Sequence, residues 1–277
     1  MLSYRHGFHA GNHADILKHL TLLALLDRLL DKQKPFSVID THAGRGIYDL
    51  GSDEARKTGE AEAGVGRLWQ SQSTDPLLSQ YLQLLSDFNP GSQLRRYPGS
   101  PAVIQSLLRA DDRLSLIELH AREVALLRQN FHTDSRLAIH ERDGFEGVLA
   151  LCPPTPRRGL VLMDPPYEVK TDYRQVLSVC EKLHRKWSTG IIAVWYPLLG
   201  RARDQGGWLC ERFAQKKFPA LNRLELTVGP QAEDLGMHGS GMLIINTPWQ
   251  LPERMEAALQ QLPTWLGDAT KVRVEQL

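Results

Sequence analysis

The sequence predicts an α/β fold in which a mainly parallel sheet carries helices on both faces. Three observations lead to it. Short apolar runs alternate with leucine-rich segments of helical period, the order expected of strand–helix–strand units. Polar residues stand at the C-terminal ends of successive apolar runs: Asp40 and His42, Glu118, Asp143, Asp164, and Tyr196-Pro197. The chain also closes on two apolar runs joined by a glycine-rich loop, which can form an antiparallel hairpin at one edge of the sheet.

The elements follow in order. Residues 14–32 carry leucine at helical spacing, with Asn12 or His13 just before them and Asp15 in the first turn, so they predict an amphipathic helix. Residues 35–40 read as a strand, and Thr41-His42-Ala43-Gly44-Arg45-Gly46 as a glycine-bearing turn. Residues 51–91 are polar and of mixed charge, with one leucine-rich segment at 77–88, and predict a small helical insertion. Pro98-Gly99-Ser100-Pro101 breaks the chain before a short helix at 102–109. Strand 113–118 ends on Glu118, helix 121–130 follows, and 138–141 is a weaker strand before Asp143-Gly144. Strand 160–163, helix 173–187 and strand 190–196 come next. Strands 222–228 and 241–246 flank the loop at 229–240.

Composition narrows the function. Of 277 residues, 42% are hydrophobic and 23% charged, an ordinary globular balance. A net charge of +1 rules out a polycation, so any nucleic-acid surface is local. Cys152, Cys180 and Cys210 are widely spaced and lack metal-ribbon or disulfide-framework spacing, which fits a reducing cytoplasm. No apolar run is long enough to span a bilayer.

Asp164-Pro165-Pro166-Tyr167 is the most informative stretch. It follows the apolar run 159–163, so a carboxylate ends a buried strand. Two prolines make the turn stiff and remove two N–H groups. The carbonyls of Asp164 and Pro165 then have no ladder to join and can accept hydrogen bonds from a ligand. A rigid acceptor set beside an aromatic ring suits the exocyclic amine of a planar base. Ligands of parallel sheets bind outside the strands' carboxyl ends, where this acid and the others sit. Glu118 there is either an acceptor for the two hydroxyls of a ribose or an ordinary cap. Asp143-Gly144 is either a contact for an adenine edge or a common turn.

These motifs, in this order, resemble a class I S-adenosylmethionine-dependent methyltransferase acting on an amino group. The N-terminal Ser3-Tyr4-Arg5-His6-Gly7-Phe8-His9-Ala10-Gly11-Asn12-His13-Ala14-Asp15-Ile16-Leu17-Lys18-His19 resembles, more specifically, the bacterial 23S rRNA adenine-N6 methyltransferase family called RlmJ. Asp40-Thr41-His42-Ala43-Gly44, Tyr97-Pro98-Gly99-Ser100-Pro101 and Trp195-Tyr196-Pro197 carry the same resemblance, which weakens after Pro248.

The resemblance implies a single Rossmann-like domain over 1–277: a mainly parallel seven-stranded sheet with an antiparallel edge strand, and a small helical subdomain inserted at 51–91. It implies S-adenosyl-L-methionine as cofactor, contacted by His19, His42, Ser100, Glu118, Asp143, Gly144 and Asp164. It implies that Tyr4, with His6 and Lys18 nearby, faces RNA. On this reading Asp164 and the Pro165 carbonyl bind the amine and Tyr167 stacks on the base. The expected partner is 23S rRNA, free or in an early assembly intermediate, met by a cytoplasmic monomer with no membrane partner. Alternatives are a DNA adenine-N6 or rRNA guanine-N2 methyltransferase, and a non-catalytic RNA-binding module. His6, His9, His13 and His19 have irregular spacing and no supporting cysteine, so no metal is expected; they read instead as a flexible polar lid. Between the two aromatics at 195–196, Tyr196 is the expected stacking residue.

Overall fold

The computed structural model describes residues 5–234 and 236–277. Ten strands form in chain order: β1 (Ser37–Asp40), β2 (Ile47–Asp49), β3 (Arg96–Pro98), β4 (Arg113–Glu118), β5 (Leu137–Glu141), β6 (Gly159–Met163), β7 (Ile191–Leu199), β8 (Asn222–Thr227), β9 (Met237–Ile245) and β10 (Lys271–Gln276). Eight of them make one sheet in the order β10-β8-β9-β7-β6-β1-β4-β5. From β7 to β5 the neighbours are parallel, while β9, β8 and β10 add antiparallel pairs at the other side. The α/β class and the late hairpin agree with the sequence. The sheet has eight strands rather than seven, because β10 pairs with β8 along its full length.

Every residue of β1 and β6 is buried, as expected for strands covered on both faces. Alternate side chains serve opposite layers. Leu160 and Leu162 pack with the first helix, whereas Val161 and Met163 pack with the layer that holds Tyr173, Val176 and Leu183. That first helix, α1 (His13–Leu30), starts where Asn12 accepts hydrogen bonds from the backbone N–H groups of Ala14 and Asp15. Most of it is buried, including the polar residues Asp15, Lys18 and His19.

Between β2 and β3, which pair antiparallel, the chain forms the helices Asp53–Thr58, Glu60–Ala63, Val65–Leu68 and Pro76–Phe88. Asp75 caps the last of these by accepting from the N–H of Leu78, and Pro76 fits its first turn. Its buried residues, among them Leu77, Tyr81 and Leu85, join the core that contains α1.

β7 runs on to Leu199, past the expected end at 196. Tyr196 and Pro197 therefore lie inside the ladder, opposite Gly241 and Ser240. Among the described residues no helix is long and apolar enough to cross a membrane.

Candidate active site

The parallel strands diverge on either side of β1, with β6 on one side and β4 on the other. The crevice beyond their carboxyl ends is where such sheets bind ligands. Asp40, at the end of β1, is fully buried and accepts from the Ser100 hydroxyl at 2.7 Å. Burial pushes its carboxyl up to about 6. Gly44 then turns the chain with a φ of +58°, and its N–H donates to Glu118 Oε2 at 2.8 Å. The other oxygen of Glu118 accepts from the His120 N–H at 2.7 Å. Glu118 thus ties the glycine turn to the end of β4, and burial raises its pKa.

Asp143 caps the helix Gly144–Leu151, its Oδ1 accepting from the Glu146 N–H at 2.8 Å. A Cβ on Gly144 would stand 2.2 Å from the Thr41 carbonyl oxygen, so the turns after β1 and β5 touch backbone to backbone. His42 packs edge-on against Phe145 at 5.3 Å between ring centroids, and burial pushes its imidazole down to about 4.

His42, Gly44, Ser100, Glu118, Asp143, Gly144 and Asp164 all line one cavity of about 260 Å³. Phe145 and Leu119 add apolar wall. The chemistry of this donor set fits S-adenosylmethionine. Carboxylates suit its hydroxyls and ammonium, and apolar side chains suit the faces of its purine.

The other half of the site comes from α1. Asp15 and Lys18 are one turn apart and buried. Lys18 Nζ lies 2.8 Å from Asp15 Oδ1 and 2.6 Å from Asp164 Oδ2. Burial alone would push the Lys18 ammonium down, but the two carboxylates outweigh it and hold its pKa well above the ordinary value. Asp15 is likewise held well below the carboxylate range: His6 and Lys18 outweigh the upward push of burial. Its Oδ2 also meets His6 Nε2 at 2.9 Å and accepts from the Gly11 N–H at 2.8 Å.

A second cavity, of about 620 Å³, opens on the far side of this pair. Trp195, Tyr167, Pro197 and Met237 form part of its wall. Lys18, Asp164 and Pro166 belong to the walls of both cavities and so stand at their junction. Neither the Asp164 nor the Pro165 carbonyl accepts a backbone hydrogen bond from a described residue.

Most of the expected site residues therefore converge, and some are placed differently. His19 lines neither cavity: it is fully buried, with Nδ1 2.9 Å from the Tyr97 hydroxyl and its ring stacked on that tyrosine. Lys18, expected beside RNA, is 5% exposed and held by two carboxylates. Pro165 is buried and lines neither cavity; Pro166 is the proline at their surface. Tyr167 lines the second cavity but is only 6% exposed, and its hydroxyl donates to the Trp195 carbonyl at 2.7 Å. Tyr196 is fully buried and donates to Glu225 at 2.8 Å, so Trp195 is the member of that pair at the cavity. Tyr4 lies outside the described residues.

Two of the N-terminal histidines have carboxylate partners. His6 meets Asp15, and His9 Nδ1 lies 2.8 Å from Glu60, which also accepts from the Asn12 amide at 2.9 Å. Among the described residues no three His, Cys, Asp or Glu side chains are grouped to hold a metal ion. Sequence reasoning missed the Lys18–Asp164 pair and the part that Asp15 plays in it.

Known proteins match this chain over nearly its full length. It is 44% identical over 275 residues to "Ribosomal RNA large subunit methyltransferase J" of Escherichia coli, covering 98% of each chain. It is 42% identical over 263 residues to the Haemophilus influenzae protein of the same name, covering 95% of this chain and 93% of that one. The solved structure of a Legionella pneumophila protein superposes with a TM-score of 0.89 at 34% identity, covering 97% of this chain and 98% of the other. A probable spermidine synthase from Corynebacterium glutamicum, at 12% identity and a TM-score of 0.52, covers 94% of this chain and 74% of that one and shares the fold alone. The family model described as ribosomal RNA large subunit methyltransferase D, RlmJ, matches residues 33–276, and the chain belongs to that family.

Proposed function

We propose that this chain methylates the N6 amino group of an adenine in 23S rRNA, using S-adenosyl-L-methionine. The observation that carries the proposal is Asp164, which stands on a stiff turn at the junction of two cavities. One of its oxygens is held by Lys18, and the other has no described partner. Membership of the RlmJ family, and relatives named for the large ribosomal subunit, favour 23S rRNA as the substrate.

The first cavity takes the cofactor, held by His42, Ser100, Glu118, Asp143 and the backbone at Gly44 and Gly144. When bound, S-adenosylmethionine supplies an electrophilic methyl group. The second cavity takes the target base. An adenine amine is a poor nucleophile because its lone pair is delocalised into the ring. Asp164 Oδ1 accepts one of its N–H groups, which favours a pyramidal nitrogen with an available lone pair; the Pro165 carbonyl, expected to take the other, belongs to a buried residue that lines neither cavity. Lys18 fixes the Asp164 rotamer and occupies Oδ2, so Oδ1 is the oxygen presented to the amine. This is catalysis by positioning and preorganised electrostatics. Asp164 accepts the departing proton directly or through water. Tyr167 and Trp195 supply the aromatic wall for the base. A paired target is flipped out first, at a cost of a few kcal/mol.

One experiment tests the assignment. The protein is incubated with labelled S-adenosylmethionine and, separately, unmodified 23S rRNA, 16S rRNA and duplex DNA, and each is digested to nucleosides. Label in N6-methyladenosine from 23S rRNA supports the proposal. Label only in a methylated guanosine, or only in DNA, overturns it.

A further inference from the structure

The second cavity has charge chemistry that the methyl-transfer site does not use. Lys18 is its most buried cation, and Asp15 and Asp164 neutralise it. The carboxylate of Glu60 is held by His9 and Asn12. Arg203 also lines this cavity. It is exposed, and its guanidinium forms no ion pair or hydrogen bond with any described residue.

The loop that carries Arg203 is built to hold it. Gly200 N–H donates to the Gly236 carbonyl at 3.1 Å, Arg201 N–H to that of Ala232 at 3.0 Å, and Ala202 N–H to that of Glu233 at 3.1 Å. The N–H groups of Arg203 and Asp204 both return to the Gly200 carbonyl, at 2.9 and 3.0 Å. The neighbouring carboxylate is engaged by other donors. Asp204 Oδ1 accepts from the Gly206 N–H at 2.9 Å, and Oδ2 accepts from the Gln231 amide at 3.2 Å. Two loops are thus laced together by backbone bonds under an arginine with open valence.

We propose that Arg203 binds a backbone phosphate of the RNA strand at the target nucleotide. The inference rests on the reading of the second cavity as the place of the target base. A guanidinium matches two phosphate oxygens with parallel N–H donors, and in a chain of net charge +1 phosphate contacts come from local cations. The cavity exceeds what a purine ring needs, so the sugar and phosphate have room along its outer wall. Arg203 is then what draws a polyanion into a cavity whose deeper cation is already neutralised, and it fixes the strand so that the base reaches Asp164.

The test compares wild type with Arg203→Ala, Arg203→Gln and Arg203→Lys on transcribed 23S rRNA. The two neutral variants are expected to raise KM for RNA by about tenfold. They leave kcat at saturating RNA and cofactor affinity within twofold, while the slope of log affinity against log salt becomes shallower by about 0.7. Arg203→Lys keeps the wild-type salt slope. An unchanged KM and slope in both neutral variants overturns the inference, as does a fall in kcat with KM unchanged. Failure of the wild type to methylate the RNA would instead count against the proposed function, so the two outcomes are distinct.

Discussion

Lys18 Nζ and Asp164 Oδ2 lie 2.6 Å apart, although 146 residues separate them in the chain. The contact joins the first helix to the end of β6 and leaves the other Asp164 oxygen without a described partner. Lys18→Met keeps most of the stem but removes the charge. The methyl-transfer rate is expected to fall by roughly 100-fold or more. Loss of one partner from a buried ionic cluster should lower unfolding stability by about 3 kcal/mol. Single-turnover kinetics and denaturant titration read the two effects separately. A rate within twofold of wild type would remove Lys18 from the mechanism.

Asp164→Ala is expected to abolish methyl transfer while cofactor affinity stays within a few-fold of wild type. Most of the first cavity's polar lining comes from other strand ends, so calorimetry with the cofactor should still show a site. Near-normal turnover in this variant would contradict the role given to the Asp-Pro-Pro-Tyr turn.

Gly144→Ala places a methyl group 2.2 Å from the carbonyl oxygen of Thr41, and backbone cannot step aside as a side-chain tip can. A stability loss of about 1–3 kcal/mol is expected, together with weaker cofactor binding. Gly207→Ala is the control: outside its chain neighbours and its own helix backbone no atom lies within 4 Å of the added Cβ, and it sits in a helix, so it should stabilise by up to about 1 kcal/mol. Equal melting temperatures for the two variants would argue against the close contact between the β1 and β5 turns.

Acid should destabilise the fold through its buried histidines. Burial pushes His19 down to about 3 and His42 to about 4, against an ordinary value of 6.5. As pH falls below 6.5 the unfolded chain takes up protons that the folded chain refuses, and the histidine contribution to stability falls until about pH 4 for His42 and about pH 3 for His19. Asp40 works in the opposite direction. Its carboxyl, raised to about 6, is protonated in the fold before it is in the unfolded chain, offsetting part of the loss between pH 6 and 4. Glu118, also raised by burial, and His9, raised by Glu60, add to that offset, while His13 and His140 are lowered by burial like His19 and His42. The denaturation midpoint should be lower at pH 5 than at pH 7, and His19→Gln should narrow the gap. A midpoint that rises on acidification would mean that these imidazoles are charged inside the fold.

The parts of this fold that are plain in the sequence are those where burial is complete. Strands β1 and β6 are covered on both faces; β6 is apolar throughout and β1 carries Val38 and Ile39 at its centre, so the acids at their ends, Asp40 and Asp164, stand out. β10 escapes notice because it lies at an edge and alternates Lys271, Arg273 and Glu275 with two valines. β2 and β3 have three residues each, too few for any period to show. Lys18 is hidden for a different reason. A lysine on a leucine-rich helix reads as solvated until the partner carboxylate arrives from 146 residues away. His19 shows the converse: an imidazole within a motif of the family, placed behind the cavity wall and stacked on Tyr97. Trp195 and Tyr196 exchange their expected places because β7 runs three residues further, so the pleat, not a strand end, decides which ring faces the cavity.

The shared wall between the two cavities has a thermodynamic consequence. Ligands that touch the same carboxylate and ammonium do not bind independently. Whatever factor an occupant of the smaller cavity imposes on affinity in the larger one is returned in equal measure, because the coupling free energy belongs to the pair of sites. If the cofactor and the target base occupy the two cavities as proposed, a change of charge in one is expected to alter the grip on the other through the Lys18–Asp164 contact.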